Sequence, residues 1–265
     1  MSVAFLVPIH PPKYQGFGDM LKSLANNKVP VYLVFSNEAD ATSFKLFAET
    51  LGVNAEAYNS IIVPHTNYCF PVVYKRMYGL QYLLDNTSYD FMIAPDADVA
   101  PISENLTNEN VLVKCQKFFY DKVAWGGLCK GQPFSQIWDV SVSLFTNKDR
   151  IQLTSLPRTY TWFSDAPIYE RKTLTLFLTE FPLSRVAQFD SLRCFDHMIY
   201  TFFLVLHHGF RFELAMQNGL ELCNDANGIE QCIARGYNLN WVRWSLRSGL
   251  QTHALRPFML YHTDR

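Results

Sequence analysis

Apolar positions along the first hundred residues alternate between two periods. Residues 3–9 (VAFLVPI) and 29–36 (VPVYLVFS) are short β-rich runs, and 19–26 between them is long enough for about two helical turns. Residues 41–52 (ATSFKLFAETLG) place Phe44, Phe47, Ala48 and Leu51 at helical spacing, with Gly52 as the stop. AYNSIIVP (57–64) reads as a third strand, VVYKRMYGLQYLLD (72–85) as an amphipathic helix and YDFMIAP (89–95) as a fourth strand. Strands alternating with helices predict an α/β fold with a mostly parallel central sheet flanked by helices.

The second half is less regular. VAWGGLCKG (123–131) reads as a strand leading into a glycine turn, and WDVSVSLFTN (138–147) as another strand. A loop rich in proline and aromatics follows from Pro157 to Tyr169. A helix from about Asp196 to His208 closes at Gly209, before a short strand-like segment. Without a repeat, low-complexity tract or linker, residues 1–265 are expected to form a single domain.

Composition narrows the class. A chain of 265 residues with 49% hydrophobic content buries a full core. The 23 Lys and Arg balance 24 Asp and Glu without a run of like charge, which argues against nucleic-acid binding. The start, MSVAFLVPIHPPKY, lacks a basic region and its apolar stretch is interrupted at Pro8, so it reads as a strand and not a signal peptide. The longest later apolar run, Met198 to Leu206, falls well short of the ~20 residues of a membrane span. The expected location is the cytoplasm or an equivalent reducing space. The six cysteines (69, 115, 129, 194, 223 and 232) show no metal-ligand spacing and read as scattered thiols, although Cys223 and Cys232 could pair in an oxidising space.

In a parallel sheet, ligands bind beyond the carboxyl ends of the strands. Pro8, Ile9, His10, Ser36, Asn37, Pro95, Asp96 and Asp98 would gather there. Chance alone supplies about one Asp-x-Asp triplet in a chain with this much aspartate, so position is what singles out this one. In an extended segment residues two apart face the same way. Asp96 and Asp98 then flank small Ala97 and offer hard oxygen donors, the environment that suits Mg²⁺ or Mn²⁺. The bland reading of the triplet is a charged turn. Lys75 and Arg76, on the preceding helix, would meet a phosphate or hold Asp96, and the bland reading, favoured for Arg76, is a solvated helix residue. Asp196 opens the later apolar helix, where an acid often only caps free N–H groups. His262, in PFMLYHTDR, follows another apolar run.

Together these features resemble the GT-A class of nucleotide-sugar glycosyltransferases. The resemblance is carried by FLVPIHPP, the Lys-bearing helix VVYKRMYGLQYLL, the strand ending in DAD, WGGLCKG, FDHMIYTFFLVLHHGF and the late LYHTDR. It spans Val3 to His262 and is nearest to small stand-alone bacterial or large-virus members. It implies a nucleotide-sugar-binding half over about 1–100 and an acceptor-binding and catalytic half over about 101–265. Asp98 would bind the metal directly, Asp96 would contact the ribose or reach the metal through water, and His262 would complete the coordination. Pro8, Ile9, His10, Ser36 and Ala97 would line the nucleotide pocket, Lys75 would lie beside the donor, and Gly126 and Gly127 would admit the donor sugar. Asp196 matches the general base of inverting members, although Phe195–Asp196 stands where many such families have Glu–Asp.

The implied reaction is metal-dependent transfer of a sugar, from a UDP-sugar by class prior, to a hydroxyl of a glycan or other glycoconjugate. Asp165 is the rival acid, in a loop where Tyr160, Trp162, Phe163 and Tyr169 could stack on an acceptor sugar, and Asp190 is a third candidate. The alternatives are a retaining transferase, with Asp196 as a structural acid, a sugar-phosphate nucleotidyltransferase and a non-catalytic carbohydrate-binding protein. The second usually needs a glycine-rich basic loop after the first strand, where this chain has PIHPPKYQGFG.

Overall fold

A computed structural model of the protein describes residues 1–64, 71–97, 99–101, 106–128, 134–160, 167–185, 196–214 and 260–262. In chain order the first half runs β1 (Val3–Pro8), α1 (Tyr14–Asn26), β2 (Val31–Phe35), α2 (Glu38–Thr50), β3 (Asn59–Ile62), α3 (Pro71–Asn86), β4 (Phe91–Ile93) and β5 (Val99–Pro101). The second half adds α4 (Asn108–Asp121), β6 (Val123–Leu128), α5 (Phe134–Ser143), α6 (Asn147–Thr154), β7 (Thr159–Tyr160), β8 (Ile168–Glu170), α7 (Arg171–Glu180), α8 (Asp196–His207), β9 (Arg211–Leu214) and β10 (Leu260–His262).

The central sheet has the order β3-β2-β1-β4-β8. Its first three pairings are parallel and only β4 with β8 is antiparallel, so the expected mostly parallel α/β sheet is present. β1 is buried along its whole length, because helices cover both sides of the sheet. Val3, Phe5 and Val7 face one apolar cluster, with Phe17, Leu21 and Leu24 of α1 and Phe44 of α2. Leu6 and Val34 face the other, with Met77, Leu80 and Leu83 of α3 and the apolar side chains of α7 and α8.

Helix α3 lies close on the sheet because residue 79 is glycine. A Cβ there would come within 2.7 Å of Leu6 Cδ1 and 2.8 Å of Val34 Cγ2. The predicted stops at Gly52 and Gly209 sit at φ +74° and +71°, the left-handed conformation that ends helices.

Several expected elements differ, among them the loop over 157–169, which includes β7 and the start of β8. The first helix begins at Tyr14 and not near Asp19, because the Pro11–Lys13 turn leads straight into it and Gly16, Phe17 and Gly18 are buried within it. The pattern over 138–147 predicts a strand, yet α5 ends at Ser143 and Thr146 caps α6 by accepting from the Asp149 N–H. The alternating valines hide the governing pattern. Ile137, Trp138, Ser141, Val142 and Phe145 are buried at helical spacing, and Trp138 meets Phe202 of α8 edge-on at 4.7 Å. α8 itself is apolar nearly all round, which suits a helix enclosed by α5, α6 and α7.

Among the described residues no helix is long and apolar enough to cross a membrane. Cys115 is a buried thiol whose pKa burial pushes up, and the other five cysteines lie outside the described residues.

Candidate functional site

The sheet order places a topological switch point between β1 and β4. From β1 the chain moves outward to β2 and β3, then crosses back to lay β4 on the opposite side of β1. Connections leave in opposite directions at the carboxyl ends of β1 and β4, the position where α/β sheets bind ligands. Pro8 and Ile9 are buried at the end of β1 and His10 emerges exposed. On the neighbouring strand Ser36 follows in the same register, since Pro8 pairs with Val34. From β4 the chain continues through Ala94 and Pro95 to half-buried Asp96 and buried Ala97.

Helix α3 contributes two cations at this switch point. Lys75 is 3% exposed and its Nζ donates to the Ile9 carbonyl at 2.7 Å, tying the helix to the end of β1. Burial pushes its pKa down from 10.5 to about 8, opposed by the charge of Asp40.

The sign of that shift gives a test. From about pH 8 to about 10.5 the unfolded chain still protonates Lys75 while the native state does not, so deprotonation favours folding across that interval. Native protein should therefore gain stability relative to Lys75→Met as pH rises through this window, as read from paired urea titrations.

Arg76, for which a solvated position is the sequence expectation, is instead buried at 2% exposure. Its Nη1 donates to Asp196 Oδ1 at 2.6 Å and its Nη2 to Asp96 Oδ1. The second oxygen of Asp196 accepts from the Tyr169 hydroxyl at 3.0 Å. Burial disfavours the Arg76 charge, but the Asp196 and Asp96 carboxylates outweigh it and hold its pKa above the usual range. Burial and the adjacent Asp196 charge likewise keep the Tyr169 hydroxyl protonated. The network joins α3, the end of β4, the start of α8 and β8. The solvated expectation fails because α3 is covered on this face by α8, an element 120 residues away in sequence.

The sequence-predicted residues divide accordingly. Asp96 and Asp196 are brought together through Arg76, and Lys75 stands at the end of β1. Asp196 is 1% exposed with both carboxylate oxygens engaged. Asp98, Trp162, Asp165 and Asp190 lie outside the described residues. Pro167 is held beside the end of β4, because its carbonyl accepts from the Ala94 N–H at 3.0 Å.

β5 and β10 pair antiparallel with His262 opposite Val99, which carries the end of the chain to the residue following Asp98. Gly126 and Gly127 are inside strand β6, opposite Leu214 and Tyr160, and not in a turn. The sequence marks Tyr169 only as an aromatic of the acceptor loop. Its place in the ion network has no local signal, since its partner is 27 residues ahead.

Asp96 presents a partly exposed carboxylate, and two carboxylates sharing one guanidinium leave one net negative charge. With Asp98 and His262 added, the donors would be oxygens with one imidazole, a set that Mn²⁺ accepts more readily than Mg²⁺. Among the described residues alone, no group of three such side chains could hold a metal ion.

No family model matches the chain, and no curated protein matches it. Among solved structures it is similar to a mannose-1-phosphate geranyltransferase from Thermus thermophilus, with a TM-score of 0.31 and 11% identity over 52% of this chain and 44% of that one. It is also similar to HddC from Yersinia pseudotuberculosis, with a TM-score of 0.29 and 12% identity over 48% of this chain and 59% of that one. The chain thus spans about half the length of the structures it matches. A likeness at that level says nothing of activity, and the fold stands on the strand order described above.

Proposed function

We propose that the chain is a metal-dependent transferase acting on a nucleotide sugar, with the donor bound at the carboxyl ends of β1 and β4. The observation that supports this best is the convergence of Lys75, Arg76 and Asp96 at the sheet's switch point, on the segment that leads to Asp98.

Asp98, with His262 and with Asp96 directly or through water, would hold Mn²⁺ or Mg²⁺. The bound cation would stabilise the negative charge that develops on a leaving diphosphate. Lys75 adds a second positive charge on the β1 side, and Arg76 fixes the orientation of Asp96. Pro8, Ile9, His10, Ser36 and Ala97 would surround the nucleotide, and Gly126 and Gly127 would leave room for its sugar. The acceptor is a hydroxyl of a glycan or glycoconjugate, approached from the loop that carries Trp162 and Asp165.

A general base must reach the hydroxyl it deprotonates. Asp196 is buried and held by Arg76 and Tyr169, which favours a holding role over the base role expected of it. Two mechanisms then remain within the reading. Either Asp165 removes the acceptor proton and configuration inverts, or configuration is retained and no acceptor base is required. Proton NMR of the product's anomeric centre separates them.

Transfer of a nucleotide to a sugar phosphate would use the same site and the same cation. The turn after β1 favours glycosyl transfer, because Pro11–Lys13 forms a tight turn where a triphosphate-binding loop would need glycines. Nucleoside diphosphate release from a nucleotide sugar, against pyrophosphate release from a nucleoside triphosphate and a sugar 1-phosphate, distinguishes the two. A carbohydrate-binding protein would release neither.

The binding test is a thermal-shift series with UDP, GDP, CMP and dTDP sugars, each with and without Mn²⁺. A ligand at ~100 times its dissociation constant adds ~2.7 kcal/mol of stability. One nucleotide should stabilise the protein only with the metal, and Asp98→Ala should abolish that gain. Absence of any shift in the native protein would overturn the reading.

A further inference from the structure

The pairing of Arg76 with two acids on different elements has a consequence for the cation. Asp96, Arg76 and Asp196 together carry a net charge of minus one, and only the Asp96 end of the cluster is open, with its side chain 39% exposed. Among the described residues Arg76 forms ion pairs with these two acids, and Asp196 is closed off at 1% exposure. The share of the guanidinium charge that falls on Asp96 therefore depends on what Asp196 draws from the other side. Asp196 lies too deep to touch a ligand at the end of β4, yet its charge is conveyed there through one rigid planar group.

We infer that Asp196, acting through Arg76, sets the negative charge that Asp96 offers to a divalent cation. It is a positioning residue for the cation site, held in orientation by Tyr169, and it links the start of α8 to the end of β4. This role rests on the proposed donor site. With Asp196 neutral, Arg76 would cancel the Asp96 charge, and the cluster would go from minus one to zero. Removing the Tyr169 hydroxyl would take away one hydrogen bond and leave the net charge unchanged.

The test is isothermal titration of Mn²⁺ alone into the full chain, for native protein, Asp196→Asn and Tyr169→Phe, each first shown to be folded by its urea transition. Asparagine keeps the shape and an acceptor for Arg76. Loss of one charge a few ångströms behind the site should weaken Mn²⁺ binding about tenfold in Asp196→Asn, and Tyr169→Phe should remain within about twofold of native. Equal weakening in both variants would show that packing and not charge is at work, and would overturn the inference. Unchanged Mn²⁺ affinity in Asp196→Asn would overturn it while leaving the donor site standing. Failure of the native protein to bind Mn²⁺ would remove the donor site itself, and the inference with it. Should Asp196→Asn fail to fold, Asp196→Glu, which keeps the charge, must bind Mn²⁺ within about threefold of native, and a loss comparable to that expected for asparagine would overturn the charge account.

Discussion

Arg76→Met is expected to lower the free energy of unfolding by about 3–5 kcal/mol, the cost of stripping a buried carboxylate of its counter-ion. Among the described residues Asp196 would keep only the Tyr169 hydroxyl as a side-chain partner, in a buried position. Asp96 would lose the guanidinium that its carboxylate accepts from, and the two like charges would face each other across the space left behind. Methionine nearly fills the volume, so the loss reports electrostatics more than a cavity. Urea denaturation measures it directly. The double variant Arg76→Met with Asp196→Asn should recover part of the loss, because the amide costs far less to bury than the bare carboxylate. Equal stability of the single and double variants would mean that the bare Asp196 carboxylate is not the source of the loss.

Arg171→Ala should cost about 3 kcal/mol, on the scale of hydrogen bonds to a charged group. Arg171 begins α7, and its guanidinium reaches across to the far end of α3. Nη1 donates to the Leu84 carbonyl at 2.9 Å, and Nη2 to those of Leu83 at 3.2 Å and Thr87 at 2.8 Å, while Nε donates to the Tyr89 carbonyl at 2.7 Å. The last carbonyls of a helix have no partners within it, and this one planar donor reaches two of them, Leu83 and Leu84, together with the Thr87 and Tyr89 carbonyls just beyond. Its backbone N–H also donates to the Asp90 carbonyl at 2.8 Å. The side chain thus clamps the loop that leads into β4, and through β4 it bears on where Asp96 stands. Lysine at this position should restore only a minor part, since one ammonium cannot span four carbonyls. An Arg171→Ala protein with a native urea midpoint would show that water replaces these bonds without loss.

Much of the first half was legible because its signals are local. A parallel sheet buried on both faces demands continuous apolar strands, and β1 and β2 advertise themselves in that way whatever surrounds them. The position of Asp96 beyond such a strand follows from the alternation of strand and helix. The stops at Gly52 and Gly209 were equally local, since left-handed backbone favours glycine wherever it occurs.

What depended on distant parts of the chain was not legible. Val140 and Val142 suggested a strand, and only the presence of α8 beneath Trp138 and Val142 makes the helix the better way to bury that segment. Lys75 and Arg76 are adjacent in sequence and look alike there, yet one turns to the Ile9 carbonyl and the other bridges two acids, 20 and 120 residues away. A charged side chain announces only that it must be solvated or paired. Which of the two occurs depends on what covers the helix, and that is decided by the chain's return from the other side of the sheet. The sequence by itself determined the class of fold and the place of Asp96 just beyond the carboxyl end of β4. The tertiary structure alone decided that Asp196 faces a guanidinium and not solvent, because burial and pairing are properties of surfaces brought together from distant parts of the chain.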